Sequence, residues 1–181
     1  MYLRKTSKKK KQYWRIKEVQ QCLGKDLCKR LPFIHAFSGC DTSSRPYRMG
    51  KATTLRKLKS QDLATCADVF INPISSVERV VEAGDLAMRL LTGGNVKESL
   101  AEHRYKEYRR RVLKGNKMVC PEQLPPTSGS TMQHSLRVHH QIMAWRGNEL
   151  PLENYGWVLR DNKLRAKITN DPQAPQWCKV F

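Results

Sequence analysis

Between residues 13 and 60 the hydrophobic positions recur with the spacing of helices that have one apolar face. These positions are Leu27, Leu31, Ile34, Leu55 and Leu58. The first three predict a helix that follows a break at Gly24 and ends at Gly39, since glycine is favoured just beyond a helix C-terminus. The last two predict a basic helix in the segment GKATTLRKLKS, with both leucines facing inward.

A helical period of about 3.6 residues returns between residues 75 and 115. Its apolar positions are Val77, Val80, Val81, Gly84, Met88 and Leu91, followed by Leu100, Tyr105 or Tyr108, and Val112. Ser75 and Glu78 have the spacing of a capping box, which predicts the start of the first helix. Asn95 and Glu98 predict the start of the second, and Gly115 its end.

The remaining third of the chain combines one helix with short irregular segments. A linker rich in Pro, Gly and Ser, CPEQLPPTSGS, precedes a helix that we predict from a cap at Ser130 to a stop at Gly147. Asp161 and Asn162 predict the turn of a small hairpin. With a short strand predicted near residue 13, the fold class is mainly α with minor β.

The charge of the chain is large and uneven. The sequence has 34 Lys and Arg against 16 Asp and Glu, a net charge of +18. Residues 1–60 hold 17 basic and 3 acidic residues, a net charge of +14. Such a field favours a polyanionic partner, and nucleic acid is the expected one, DNA before RNA. No membrane partner is expected, because no apolar run is long enough to span a bilayer.

Six scattered cysteines form no C-x-x-C pair and predict reduced thiols in a protein of the nucleus or, alternatively, the cytoplasm. Zinc binding by Cys22, Cys28, His35 and Cys40 is an alternative, although these spacings match no zinc pattern. His134, His139 and His140 lack a neighbouring acid or cysteine, so packed or surface histidines are the expected interpretation.

The segment LGKDLCKRLPFIHAFSGCDTSSRPYRMGKATTLRKL resembles a junction in flap-endonuclease-type PIN nucleases. In that family an apolar helix ends in Gly-[Ser/Cys]-Asp, and a Gly-x-Gly-Lys turn then opens a DNA-binding helix. Over nearly its full length the chain is also similar to the C-terminal part of a group of animal proteins that resemble mobile-element products. The segments LPPTSGSTMQHSLRVHHQIMAW and YGWVLRDNKLRAKITNDPQAP carry this wider similarity.

The resemblance implies that Asp41 occupies a metal-ligand position. Two-metal hydrolysis of a phosphodiester needs several carboxylates around Mg²⁺. The family's other acids lie upstream of this motif, whereas here only Glu18 and Asp26 lie nearby. We therefore expect Mg²⁺ binding only if other residues complete the site, and no other cofactor.

The resemblance also implies a DNA-contacting surface around the turn RMGK. The candidate nucleic-acid-binding residues are Arg48, Gly50, Lys51, Arg56, Lys57 and Lys59, together with Lys8, Lys9, Lys10 and Lys11 of the basic N-terminal arm. Gly50 and Lys51 match the second glycine and the lysine of the family's turn. Arg48 stands where the family has its first glycine, and we expect this bulky cation to change the turn.

Four segments follow from these patterns. They are a basic arm (1–12), a partial PIN-like C-terminal portion with the basic helix (13–60), a helical extension (61–119), and a linker, helix and small C-terminal module (120–181). A partial fold leaves apolar surface uncovered, so a protein partner is also expected.

Three functions remain open from the sequence. The first is a DNA-binding protein that is nuclease-like but catalytically incomplete. The second is a Mg²⁺-dependent, structure-specific nuclease completed by an upstream segment or a partner. The third is a protein-interaction module whose charge serves solubility or RNA binding.

Overall fold

A computed structural model of the chain describes residues 2–7, 10–115 and 118–169, with seven α-helices and two antiparallel β-hairpins among them. The helices are α1 Ile16–Leu23, α2 Lys25–Phe37, α3 Lys51–Lys57, α4 Gln61–Ile71, α5 Val77–Thr92, α6 Leu100–Leu113 and α7 Ser128–Trp145. The strands are β1 Tyr2–Ser7, β2 Lys10–Arg15, β3 Trp157–Arg160 and β4 Lys163–Ala166. This architecture confirms a mainly α fold with minor β.

The core lies where α2, α4, α5 and α7 meet. Three aromatic rings stand at its centre: the Phe33 ring lies 5.0 Å from Phe37 and 5.1 Å from Phe70, between centroids. Burying rings of this size supplies much of the hydrophobic stabilisation of a small core. One continuous cluster of buried side chains joins residues of the predicted segments 13–60, 61–119 and 120–181.

Helix α7 crosses this core and is buried over most of its length. Polar side chains on such a helix need internal partners. The His134 ring donates from Nε2 to the Phe37 carbonyl at 3.1 Å, and the His139 ring donates from Nδ1 to the Phe70 carbonyl at 3.0 Å. The two histidines therefore tie α7 to the ends of α2 and α4.

The closest approach of α5 to α7 occurs at Gly84. A β-carbon at this position would lie 1.9 Å from Ser135 Oγ and 2.5 Å from Ser135 Cβ. The absence of a side chain at Gly84 thus permits the packing distance of the two helices.

Half-buried Arg30 and Asp68 link α2 to α4 with two parallel hydrogen bonds, from Nε at 2.9 Å and from Nη2 at 2.6 Å. The hydrogen bonds from Arg30 hold the pKa of the Asp68 carboxyl below its ordinary value. This bidentate geometry fixes the relative orientation of the two helices.

Three helix starts differ from the predictions. Helix α5 is capped by Ser76 rather than Ser75, because Ser75 Oγ donates instead to the Val69 carbonyl at 2.8 Å. The capping box of α6 is Ser99 with Glu102, not Asn95 with Glu98. Helix α7 begins three residues earlier than predicted, with Thr127 accepting from the backbone N–H of Ser130 at 3.3 Å.

The predicted apolar stripe of α6 is wrong beyond its first residue. Leu100 is buried, but Tyr105, Tyr108 and Val112 are exposed by 60%, 45% and 45%. Helix α6 contacts α5 mainly through its N-terminal part, where His103 is the other buried side chain. Its remaining surface is basic, aromatic and open to solvent.

Both hairpins are short two-stranded sheets. The predicted C-terminal hairpin is confirmed, with Asp161 at φ 53° and Asn162 at φ 55° in the two central turn positions. Such a turn matches the right-handed twist of the paired strands. In the predicted basic arm, β1 pairs with β2 in register from Tyr2–Arg15 to Ser7–Lys10.

None of the described helices combines the length and apolar composition needed to cross a membrane.

Candidate nucleic-acid interface

A tight turn follows α2 and positions the segment that the sequence singled out. Gly39 has φ 101°, and a β-carbon there would lie 2.6 Å from Arg45 Cβ. Ser43 Oγ donates to the Ala36 carbonyl at 2.6 Å, which closes the loop back onto the helix. Glycine is thus required at position 39 both by its backbone conformation and by the neighbouring chain.

Asp41 lies exposed on this turn. No group of three or more His, Cys, Asp or Glu side chains that could hold a metal ion occurs in the part of the chain that the structure describes. One carboxylate supplies too few oxygen ligands for a Mg²⁺ ion to be held by protein side chains, and far too few for two. The described residues therefore do not fit a two-metal centre at Asp41, nor a zinc site at Cys22, Cys28, His35 and Cys40.

The thiol of Cys40 stands beside Asp41 and contacts Ser43 Oγ at 3.2 Å and Thr42 Oγ1 at 3.4 Å. Burial raises the pKa of this thiol, but the hydrogen bonds from Ser43 and Thr42 outweigh burial and leave the pKa below its ordinary value.

His35 lies exposed against Trp145, with ring centroids 5.3 Å apart. The histidine is therefore part of a ring contact with α7.

Arg48 adopts a left-handed backbone conformation, with φ 58°. Glycine occupies this region of φ at little cost, whereas an L-residue with a side chain pays about 1–2 kcal/mol. Arg48 was expected to change the turn because of its size. Its backbone adopts a left-handed conformation that is also open to glycine. Two residues later, Gly50 caps α3 in an extended conformation.

Two guanidinium groups approach the ring of Tyr47. The Arg48 Cζ atom is 5.2 Å from the centre of its ring and the Arg111 Cζ atom is 5.9 Å from it. Arg111 belongs to α6, so the tyrosine joins the turn before α3 to the basic face of α6. An exposed aromatic ring flanked by arginines is a surface on which nucleic-acid bases and phosphates bind.

A pocket of about 160 Å³ opens beside this ring, and we call it the Tyr47 pocket. Arg48, Arg110 and Arg111 line it together with one acid, Glu107. Arg110 and Glu107 form a bidentate ion pair, with Nη2 2.6 Å from Oε2. Arg48 and Arg111 form no ion pair with a carboxylate among the described residues. Arg111 donates to Gln123 Oε1 at 2.9 Å and to the Gln123 carbonyl at 2.8 Å, and these neutral partners do not cancel its charge.

The basic side chains of α3 and of Lys59, which lies just beyond its C-terminus, fall into two groups. Arg56 and Lys59 are exposed, and so is Lys51, whose Nζ donates to the Gly39 carbonyl at 2.8 Å. Lys57 points the other way, with Nζ donating to the carbonyls of Leu90 at 2.8 Å and Leu91 at 3.0 Å. Burial lowers the pKa of the Lys57 ammonium.

Lys57 therefore stabilises the C-terminus of α5, where the last carbonyls of a helix lack internal partners. Contact of Lys57 with DNA stays a prediction. Its ammonium already donates hydrogen bonds to the Leu90 and Leu91 carbonyls. Of the predicted residues in the N-terminal arm, Lys8 and Lys9 lie outside the described residues, and Lys10 and Lys11 lie on β2.

The predictions from the sequence did not include the basic and aromatic residues of α6 in the site. The exposed tyrosines Tyr105 and Tyr108 stand among its cations, and the Arg109 Cζ atom lies 5.8 Å from the Tyr105 ring centre. The available signal was this interleaving of aromatic and basic residues in HRYKEYRRR. Its proximity to Tyr47 is a property of the tertiary fold.

Comparisons of the chain with family models, with curated proteins and with solved structures give no match.

Proposed function

We propose that this chain is a nucleic-acid-binding protein, with DNA preferred over RNA, and that its binding surface runs from α3 across Tyr47 to α6. The observation that carries the proposal is the position of the Arg48 and Arg111 guanidinium groups within 6 Å of the centre of the exposed Tyr47 ring. This arrangement offers both a stacking face and two cations to a polyanion.

The charge distribution supports the proposal. Residues 1–60 hold 17 of the 34 basic residues but 3 of the 16 acids, and they include Arg48, Lys51, Arg56 and Lys59. A surface of this kind neutralises phosphates and releases their counterions, which is the main source of affinity in binding without sequence specificity. A nuclear location, with the cytoplasm as the alternative, is part of the same proposal.

The relation to PIN nucleases belongs to the proposal as well. In this interpretation residues 13–60 are a partial PIN-like unit that retains the basic turn and lacks the clustered acids. Asp41 then serves in the turn after α2 rather than in metal-dependent hydrolysis by this chain alone. A nuclease would need carboxylates from another segment or chain.

A matched pair of triple variants tests the surface. Lys51, Arg56 and Lys59 changed to Gln should weaken binding to a short DNA duplex by about tenfold or more, because up to three phosphate contacts are lost. Arg79, Lys97 and Arg160 are exposed elsewhere, and changing them to Gln removes the same total charge. We expect a much smaller loss from this control.

Fluorescence anisotropy at fixed low salt measures both affinities. Equal losses in the two variants would show that net charge alone governs binding, and the localised surface would be abandoned. A parallel titration with an RNA duplex of the same sequence tests the stated preference for DNA.

A further inference from the structure

A second pocket, of about 340 Å³, lies between the loop at residues 44–47, α6 and the first turns of α7. We call it the arginine pocket because Arg45, Arg104 and Arg137 line it. Its volume is at the lower end of the range for small-molecule sites, about 300–1,000 Å³. It shares Tyr47 with the Tyr47 pocket but extends inward to buried residues of α7.

The three arginines of this pocket form no ion pair with a carboxylate among the described residues. Arg104 donates to the Pro125 carbonyl, and Arg137 donates to the carbonyls of Gly156 at 3.1 Å and Lys167 at 2.5 Å. Neutral carbonyls orient a guanidinium without cancelling its charge. Exposed Glu122 also lines the pocket, so the lining retains a net positive charge.

Arg137 is the least expected of the three, because it is only 5% exposed. A charged group in such a place is usually paired, since removing it from water is costly. Burial lowers the pKa of the Arg137 guanidinium and of the Arg104 guanidinium. An anion in the pocket would supply the counter-charge that the described residues do not.

His134 is a buried polar side chain at the same pocket, with 4% exposure. Burial, opposed by the hydrogen bond to Phe37 and aided by the charge of Arg137, lowers its pKa to about 4, so the ring is neutral near pH 7. Since Nε2 donates to the Phe37 carbonyl, Nδ1 carries no proton and can accept one. Nδ1 is enclosed and has no hydrogen-bond partner among the residues that the structure describes.

The remaining lining is mostly apolar and comes from residues such as Met88, Leu124 and Pro126. Ser130, in the first turn of α7, also lines the pocket, and the positive end of a helix dipole favours a negatively charged group. A ligand that matches these surfaces has an anionic group and an apolar or aromatic body.

We propose that the arginine pocket binds a small organic phosphate of nucleotide size, with its phosphate on the arginines and its ring against the apolar wall. Three arginines suit a phosphate monoester better than a singly charged carboxylate, and the fork of each guanidinium matches two phosphate oxygens. This site shares Tyr47 and α6 with the proposed DNA surface, but Lys51, Arg56 and Lys59 do not line it.

Adenosine monophosphate, adenosine and inorganic phosphate serve as probes in isothermal titration calorimetry with the full chain. We expect adenosine monophosphate to bind at least about tenfold more tightly than either fragment, because only the whole molecule reaches both the arginines and the apolar wall. Arg45→Gln should reduce the affinity for adenosine monophosphate about tenfold. Arg45 is exposed and its β-carbon is kept, so the variant preserves the turn at Gly39.

Two controls make the outcome decisive. Lys97→Gln removes an exposed cation far from the pocket lining and should leave the affinity unchanged. The Lys51, Arg56 and Lys59 triple variant should also bind adenosine monophosphate normally, even if it loses DNA binding. Equal affinity for adenosine and its monophosphate, or an unchanged affinity in Arg45→Gln, would overturn the proposal whatever the result with DNA.

Discussion

Arg48 combines a useful cation with an unfavourable backbone conformation, φ 58°. Arg48→Gly and Arg48→Ala both remove the contact with Tyr47, but only the glycine variant relieves the conformation. The relief, about 1–2 kcal/mol, exceeds the entropy that glycine adds to the unfolded chain, about 0.4–1 kcal/mol. We expect Arg48→Gly to be the more stable of the two by roughly 0.5–1 kcal/mol.

Urea denaturation measures this difference, and DNA titration of the same variants separates the two roles of Arg48. Both variants should bind DNA more weakly than the wild type, since the same cation is lost. If Arg48→Ala proved equally stable, the left-handed conformation would carry no cost and the turn would tolerate any residue.

At the residue scale, sequence reasoning succeeds where the signal is local. Gly39 and the pair Asp161-Asn162 each fix a left-handed backbone position within a few residues, and both were predicted. Arg48 was identified as a departure from a glycine, but its conformation is set by the loop around it. The role of Lys57 could not be predicted from the local sequence, because its partners Leu90 and Leu91 are more than thirty positions away.

At the element scale, α5 depends on a side chain from α3. Lys57→Met keeps the apolar stem and removes the ammonium from the Leu90 and Leu91 carbonyls. We expect a loss of about 1–2 kcal/mol in the free energy of unfolding, because charged hydrogen bonds to buried carbonyls are lost. Lys59→Met is the matched control, since Lys59 is exposed, and should change stability by no more than about 0.5 kcal/mol.

Thermal or urea unfolding distinguishes the two lysines. Similar stabilities for Lys57→Met and Lys59→Met would remove Lys57 from the cap of α5. A larger effect of Lys59→Met on DNA affinity than of Lys57→Met would agree with their opposite orientations.

Helix α7 should make stability depend on pH. The folded-state pKa of His134 is about 4 against 6.5 for an unperturbed imidazole, and burial lowers the pKa of His139 as well. The buried site accepts the neutral ring but not the charged one. The contribution of His134 to the free energy of unfolding is therefore fully present above about pH 6.5 and is lost as the pH falls towards 4. For His134 the loss between pH 7 and pH 5 is about 2 kcal/mol.

Urea unfolding at pH 7 and pH 5 tests this dependence in two variants. His134→Gln should lose less stability on acidification than His35→Gln, whose substituted ring is exposed. Equal losses would mean that His134 takes up its proton in the folded state as readily as in the unfolded chain.

The same scale shows why helix starts were harder to predict than helices. Ser, Thr and Asn residues recur before α5, α6 and α7, and each run contains more than one competent cap. The buried bond of Ser75 to Val69 decides the choice at α5, and only the packed fold provides it. The predicted apolar stripe on α6 was wrong because tyrosines with helical spacing occur on exposed surfaces as well as on buried faces.

At the scale of the whole molecule, one core joins segments that the sequence patterns predicted as separate. Phe33 and Phe37 of α2 pack against Phe70 of α4, and Ile142 of α7 belongs to the same cluster. The arginine pocket also depends on this assembly, because Arg45, Arg104 and Arg137 come from three distant parts of the chain. No pattern within a single segment predicts such a site.

Binding of DNA by a localised basic surface should depend steeply on salt, because neutralised phosphates release counterions. The logarithm of the affinity should fall linearly with the logarithm of the salt concentration, with a slope of about −0.9 for each neutralised phosphate. The Lys51, Arg56 and Lys59 triple variant should have a slope shallower by about 2–3, while the Arg79, Lys97 and Arg160 variant keeps the wild-type slope. Two results would contradict a localised DNA-binding surface. One is no binding to duplex DNA at low salt, and the other is an equal slope in the wild type and both triple variants.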